Sequence, residues 1–122
     1  MWNNSVIIAS AAGFLASAMR DMLADTGFKV IIAHNDNDLT QRMKFAYPRY
    51  IFLENCFMNN TTDVYLQKIM KSYRKPHVVM WAASELTAEA AARFIYAGAE
   101  SFFSLRDNRE NIESIFKRFF YG

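Results

Sequence analysis

Residues 50–54 of this chain read Tyr-Ile-Phe-Leu-Glu, a run of aromatic, β-branched and aliphatic residues that ends in an acid. Its apolar residues are consecutive and do not alternate with polar ones, which is typical of a β-strand covered on both faces. Four further short runs have the same character, and they cover residues 5–10, 28–33, 77–82 and 101–104. The sequence therefore predicts five buried strands.

Segments with helical spacing separate these strands. Leu15, Met19 and Leu23 recur every four residues, which predicts a first helix over about residues 12–24. The fourth helix is predicted to follow Ser84, a good N-cap, and to end at Gly98. The others are predicted to begin near Asn37 or Asp38, to follow Thr61-Thr62-Asp63, and to carry Ile112, Ile115, Phe116, Phe119 and Phe120. Strands alternating with helices predict an α/β fold, a parallel sheet with helices on both faces.

Composition limits the classes of function. A chain of 122 residues, 52% of them hydrophobic, fits one domain with one core. The net charge is only +2 and no stretch concentrates Lys and Arg, which argues against a nucleic-acid surface. A single cysteine, Cys56, excludes a disulfide within the chain and favours a reducing, cytoplasmic location. The apolar run 6–18 is too short to span a bilayer and has no basic region before it, so we expect neither a membrane span nor a signal peptide.

Enzymatic motifs are missing from the sequence. It contains no Gly-x-Ser-x-Gly, no Cys-x-x-Cys and no glycine-rich phosphate loop, and its four glycines are widely separated. His34 and His77 lack metal-ligand spacing to each other or to acids. We therefore expect no catalytic residue, no cofactor and no metal. Ligands of parallel α/β sheets bind beyond the carboxyl ends of the strands, so the residues at those ends decide the function.

Four segments, in order and with the right spacing, resemble the receiver domains of two-component response regulators. They are Val6-Ile7-Ile8-Ala9-Ser10-Ala11, the run 48–54, the run 76–82, and Gly98-Ala99 followed by the aromatic run 101–105. The resemblance covers almost the whole chain. It implies a five-stranded, doubly wound (βα)5 sandwich of the flavodoxin-like type, and a role in signal transduction or transcription regulation.

The residues that carry the family's chemistry do not match. The resemblance implies an acidic pair where Ser10 and Ala11 stand, and a phospho-accepting aspartate at Glu54. It implies a small hydroxyl residue at Trp81 and a lysine at Leu105. In the family the acids hold Mg²⁺, which neutralises the transferred phosphoryl group. We therefore predict a degenerate phosphorylation site and a pseudo-receiver that acts by binding.

Four residues near this site have alternative interpretations. Glu54 is either a built-in mimic of the phosphorylated state or a partly exposed acid at a strand end, paired with Arg106. Arg106 is also a candidate substitute for the missing lysine, although neighbouring strand residues point to opposite faces. Phe102 matches the family's switch aromatic, with a plain core or edge aromatic as the alternative. Cys56 is a candidate redox sensor, though a lone cysteine there is more often inert.

Aromatic residues crowd into the last third of the chain. Tyr96 and Tyr121 do not fit the stripes that their helices can bury, and Phe102 lies on the strand between them. We expect a homodimer or a protein partner on the face formed by helix 4, strand 5 and helix 5. Residues 111–122 resemble the last receiver helix of LuxR-tailed regulators, which implies that DNA is bound only through an output domain beyond residue 122; an ordinary amphipathic terminal helix is the alternative.

Two rival functions stay open from the sequence. One is a small enzyme or flavin-binding protein of the same fold, for which the loop Ser10-Ala11-Ala12-Gly13 is a poor match. The other is a receiver that is still weakly phosphorylated on Glu54 or a nearby residue.

Overall fold

The structure is a computed structural model that describes residues 5–72, 75–107 and 109–120, except for the side chains of Asp25, Asn60, Arg109, Phe116, Phe119 and Phe120. In chain order the elements are β1 Ser5–Ala9, α1 Gly13–Met22, β2 Lys29–Ala33, α2 Asp36–Ala46, β3 Tyr50–Glu54, α3 Thr62–Met70, β4 His77–Ala82, α4 Ala88–Ala97, β5 Ser101–Ser104 and α5 Arg109–Phe120. Short 3₁₀ turns cover Ala24–Thr26 and Asn59–Thr61. Within the described ranges, no helix has the length and apolar content that crossing a membrane requires.

The strands form one parallel sheet in the order β2-β1-β3-β4-β5. This confirms the predicted α/β fold with a five-stranded parallel sheet and five helices. Every residue of β1 and β3 is buried, as the unbroken apolar runs indicate for strands covered on both faces. The strand order reverses between β1 and β3, so a crevice opens at the carboxyl ends of these two neighbouring strands.

Two hydrophobic clusters pack against the two faces of the sheet. Leu39, Leu66 and Phe94 place α2, α3 and α4 on one face. Met19 and Ile112 place α1 and α5 on the other. A buried side chain of this size contributes about 1.5–3 kcal/mol relative to exposure, so the two clusters supply most of the driving force for folding.

The helix starts differ in part from the prediction. The prediction that Ser84 caps α4 is wrong, because Thr87 occupies the N-cap and its side chain accepts a hydrogen bond from the Ala90 N–H at 3.1 Å. The Ser84 carbonyl instead accepts a hydrogen bond from the Ser104 hydroxyl at 2.9 Å, which holds the loop against β5. Helix α2 begins at Asp36, slightly earlier than predicted.

Gly98 ends α4, as the sequence predicts, and its conformation requires glycine. Its φ angle is 123°, which side-chain-bearing residues rarely adopt. A methyl group at this position would also lie 2.6 Å from Met70 Cγ, at the end of α3. The absence of a side chain therefore lets α3 and the end of α4 approach each other closely.

Candidate functional site

The candidate site lies at the carboxyl ends of β1, β3 and β4. Ala9 is the register partner of Leu53, and Glu54 is the register partner of Trp81. Ser10, the residue after β1, therefore comes beside Glu54 on the neighbouring strand. Register partners in a parallel sheet point to the same face, so Glu54 and Trp81 share the α1–α5 side.

Glu54 is a buried acid with a direct partner. It is 4% exposed, and its Oε1 accepts a hydrogen bond from the fully buried Ser10 hydroxyl at 2.7 Å. The Ala12 N–H in turn donates to Ser10 Oγ at 3.1 Å, which fixes the serine at the start of the loop. The interpretation of Glu54 as a partly exposed acid is therefore wrong, because the side chain is buried and accepts a hydrogen bond from Ser10.

Trp81 belongs to the protein core. Its side chain is fully buried in the cluster on the α1–α5 side, and its indole Nε1–H donates to the Phe52 carbonyl at 3.0 Å. A tryptophan is seldom fully buried unless its N–H finds an acceptor, and here the neighbouring strand supplies one. At the position where the family has a small hydroxyl residue, this chain therefore has a bulky indole ring, which is held in place beside Glu54.

The residues of β5 and the loop after it differ in burial and in the face of the sheet on which they lie. Leu105 is half-buried and packs against the α1–α5 cluster, so an apolar side chain stands where the resemblance implies a lysine. Arg106 is exposed, and its backbone N–H donates to the Ser104 hydroxyl at 3.0 Å. Phe102 is 40% exposed and is the register partner of Met80, so it lies on the opposite face of the sheet from Glu54.

Cys56 lies two residues beyond Glu54 and is exposed overall. Desolvation of the sulfur, followed by the nearby Glu54 carboxylate, raises the pKa of the Cys56 thiol above its ordinary value. The thiolate is the reactive form of cysteine, so the raised pKa makes this thiol a poor nucleophile. The arrangement favours the inert interpretation of Cys56 over the redox sensor.

The donor set at this edge does not fit Mg²⁺, the ion that the resemblance implies. A magnesium ion needs several oxygen ligands in near-octahedral geometry, usually from more than one carboxylate. Of the positions 10, 11 and 54, where the resemblance implies acids, Glu54 is the one that has a carboxylate; it is already hydrogen-bonded to Ser10, and exposed Ala11 has no ligand atom in its side chain. In the part of the chain that the structure describes, no three His, Cys, Asp or Glu side chains form a group that could hold a metal.

The predicted interaction face is exposed where the structure describes it. Tyr96 is 90% exposed on α4, and its neighbour Ile95 is 43% exposed. Phe102 extends this apolar surface onto β5. Tyr121, the third residue predicted for this face, lies outside the described residues.

Sequence reasoning missed a second polar cluster at the same edge. The Asp107 carboxylate accepts a hydrogen bond from the Ser104 N–H at 2.9 Å, while the Ser104 hydroxyl reaches the Ser84 carbonyl. The spacing Ser-x-x-Asp after a strand was the available signal, because short polar side chains commonly bond to nearby backbone groups in turns. The Ser10–Glu54 hydrogen bond was also missed, since it depends on the register of strands far apart in sequence.

Solved receiver domains share this fold. The signal receiver domain of a DNA-binding response regulator from Colwellia psychrerythraea is 19% identical, with a TM-score of 0.84 over 97% of this chain and 98% of that one. A response regulator from Thermotoga maritima is 15% identical, with a TM-score of 0.84 over 99% of this chain and 100% of that one. The signal receiver domain of a LuxO repressor protein from Vibrio parahaemolyticus is 17% identical, with a TM-score of 0.82 over 98% of this chain and 92% of that one.

No protein-family model and no curated protein sequence matches the chain. The likeness to receiver domains is therefore a likeness of structure at low sequence identity. It establishes that the chain has the fold of response regulator receiver domains.

Proposed function

We propose that this chain is a receiver-type signalling domain that acts by binding a protein, without being phosphorylated. The observation that carries the proposal is the buried Ser10–Glu54 hydrogen bond beside the buried Trp81 ring. In the family that the sequence resembles, the same strand ends are polar and open to a phosphoryl group and a metal. Here they form part of the packed interior.

The electrostatics of the strand ends oppose an acyl phosphate. A phosphoryl group adds about 1.5–2 negative charges, which need cations or hydrogen-bond donors nearby. Leu105 supplies neither at the position of the family's lysine, and Ser10 and Ala11 supply no acid to hold a compensating metal. Placing that charge on the 4%-exposed Glu54 side chain would also put it beside the fully buried Trp81 and Ser10 side chains, away from water.

Beryllofluoride with magnesium tests this part of the proposal, because the pair mimics a phosphoryl group on receiver domains. We expect the ¹⁵N amide spectrum of this chain to stay unchanged around Ser10, Glu54 and Leu105 at reagent concentrations that saturate an ordinary receiver domain, which serves as the positive control. Acetyl phosphate with Mg²⁺ should likewise give no mass increase corresponding to a phosphoryl group. Saturable shifts beside β3, or a phosphorylated species, would overturn the proposal.

The binding surface that we propose is the face formed by α4, β5 and α5. Its support is the exposure of Tyr96, Ile95 and Phe102, three large apolar side chains on adjoining elements. Aromatic side chains of this kind are enriched at protein interfaces. We propose a homodimer, or a complex with another protein, through this face.

Light scattering across a concentration series tests the homodimer. We expect a dimer whose dissociation constant rises at least about thirtyfold in Tyr96→Ala, which corresponds to a hot-spot residue. Phe14→Ala is the matched control, because Phe14 is another highly exposed aromatic residue, 78% exposed on α1 and outside the proposed face. A monomer at the highest concentrations, or equal effects of the two substitutions, would contradict the homodimer.

Glu54 gives the proposal a second test. If its carboxyl group mimics the phosphorylated state, Glu54→Gln should change dimerisation or partner binding, because the amide keeps the shape and removes the charge. Unchanged behaviour in both assays would reject the mimic and leave a purely structural role for Glu54.

A further inference from the structure

A groove of about 630 Å³ runs between α2 and α3, on the side of the sheet away from α1 and α5. The two helices connect successive parallel strands on one face, so they run in the same direction. The Tyr65 hydroxyl donates to the Asp36 carbonyl at 3.5 Å, which places the start of α3 beside the start of α2. The described residues that line the groove include neither Glu54 nor any residue of α4, β5 or α5.

The groove is apolar inside and basic at its edges. Met43, Tyr65 and Ile69 belong to or pack against the core cluster beneath it, and they form its floor and walls. Lys44 on α2 and Lys68 on α3 are both exposed and line the groove from opposite sides. Among the described residues that line it, these two are the charged ones, so the surface selects an occupant that is apolar on one side and acidic beside it.

Tyr47 closes one end of the groove in an unusual conformation. It is the C-cap of α2 with a φ angle of 45°, a left-handed position that glycine usually occupies. The residue also precedes Pro48, which further restricts its backbone. Such a conformation is strained for a bulky residue. The chain nevertheless keeps a half-exposed aromatic side chain here, on the wall of the groove.

The length of the groove fits a short helix. Its α2 wall extends from Thr40 to Tyr47, which is roughly 10 Å at about 1.5 Å per residue. Two turns of an α-helix cover that distance, and they present apolar anchors at i, i+3 or i+4, and i+7. We propose that the α2–α3 groove docks an amphipathic helix of a partner protein, with acidic residues of that helix beside Lys44 and Lys68.

Two synthetic peptides of about twelve residues serve as probes. One is an amphipathic helix with leucines at the anchor positions and glutamates beside them; the other has the same leucines with lysines in place of the glutamates. We expect the acidic peptide to bind at least about tenfold more tightly than the basic one, since like charges at the rim repel the latter. Its ¹⁵N amide shifts should fall on α2 and α3.

Paired substitutions separate the groove from the rest of the surface. Lys44→Glu with Lys68→Glu should weaken binding of the acidic peptide at least about tenfold and strengthen binding of the basic peptide. Lys29→Glu, an exposed lysine at the start of β2, is the charge control and should change neither. Tyr47→Gly should weaken binding while raising the stability of the free domain, because it removes the wall and relieves the backbone.

Phe45→Ala is the matched aromatic control, since Phe45 is 81% exposed on the same helix but does not line the groove. Equal affinity for both peptides, shifts outside α2 and α3, or an equal loss in Phe45→Ala and Tyr47→Gly would overturn the proposal. Loss of a dimer in Lys44→Glu with Lys68→Glu would also overturn the proposal, because a second copy of this chain would then be the occupant of the groove. None of these outcomes bears on phosphorylation at Glu54, so the two proposals fail independently.

Discussion

Replacing Ser10 by Ala removes the hydroxyl that donates to the buried Glu54 carboxyl group. The Oγ–Oε1 distance is 2.7 Å and Glu54 is 4% exposed, so water does not readily replace the lost donor. Leaving a buried acceptor without its donor costs about 1–3 kcal/mol. We therefore expect Ser10→Ala to lower the free energy of unfolding by about 2 kcal/mol, and the melting temperature by roughly 6–12 °C for a domain of this size.

Urea unfolding followed by far-UV circular dichroism measures this change in the free energy of unfolding. An unchanged dependence of that free energy on urea concentration would show that the folded and unfolded states remain comparable. A double-mutant cycle with Glu54→Ala isolates the pair, and we expect a coupling energy of about 1–2 kcal/mol. Ser114→Ala on the exposed side of α5 is the control and should stay within about 0.5 kcal/mol of the parent.

Two results would refute this expectation. One is a loss of less than about 0.5 kcal/mol in the free energy of unfolding in Ser10→Ala; the other is an equal loss from Ser10→Ala in the Glu54→Ala background and in the parent chain. The first result would mean that water or another group satisfies Glu54. The second would mean that Ser10 stabilises the loop after β1 and not the acid.

Two further substitutions and one chemical modification test other parts of the structure. Gly98→Ala should lower the free energy of unfolding by about 1–3 kcal/mol in urea titrations, because its φ of 123° and the Met70 side chain both oppose a methyl group. The backbone N–H of His34 donates to the Asp38 carboxylate and holds the pKa of that group below the ordinary 3.8. The ionised Asp38 carboxylate therefore stabilises the domain above about pH 4, and this stabilisation is lost as the pH falls through the lowered pKa. Asp38→Asn should therefore destabilise the domain at neutral pH, and the difference should vanish in acid; a constant difference would refute this. Finally, the raised pKa of Cys56 predicts alkylation by iodoacetamide more slowly than free cysteine at mildly alkaline pH, and an equal rate would contradict the assignment of an inert thiol.

The strands could be predicted because burial on both faces leaves a direct trace in the sequence. The ranges 50–54, 77–82 and 101–104 were predicted with the bounds that the structure has, since each is an apolar run between polar or turn residues. The start of α4 could not be predicted from the sequence, because Ser84 and Thr87 are both good N-caps. The choice between them depends on the hydroxyl of Ser104, which engages the Ser84 carbonyl from another strand.

The candidate site shows the same limit. The sequence indicated which residues end the strands, and it indicated that the family's acids and lysine are missing. The burial of Glu54 and its partner Ser10 follow from the register between β1 and β3, which joins residues that are 44 positions apart. The α2–α3 groove was not anticipated either, since it depends on the left-handed backbone of Tyr47, which a side-chain pattern does not reveal.

The contact between Gly98 and Met70 bears on how such domains diverge. The Gly-Ala pair before β5 is part of one of the four segments that carry the resemblance, yet its glycine is required by the close approach of two helices and by a backbone angle, with no phosphate involved. Selection for folding alone is therefore enough to preserve it, whether or not a domain is phosphorylated. A signature built on this pair identifies an architecture and carries no information about whether the ancestral reaction survives.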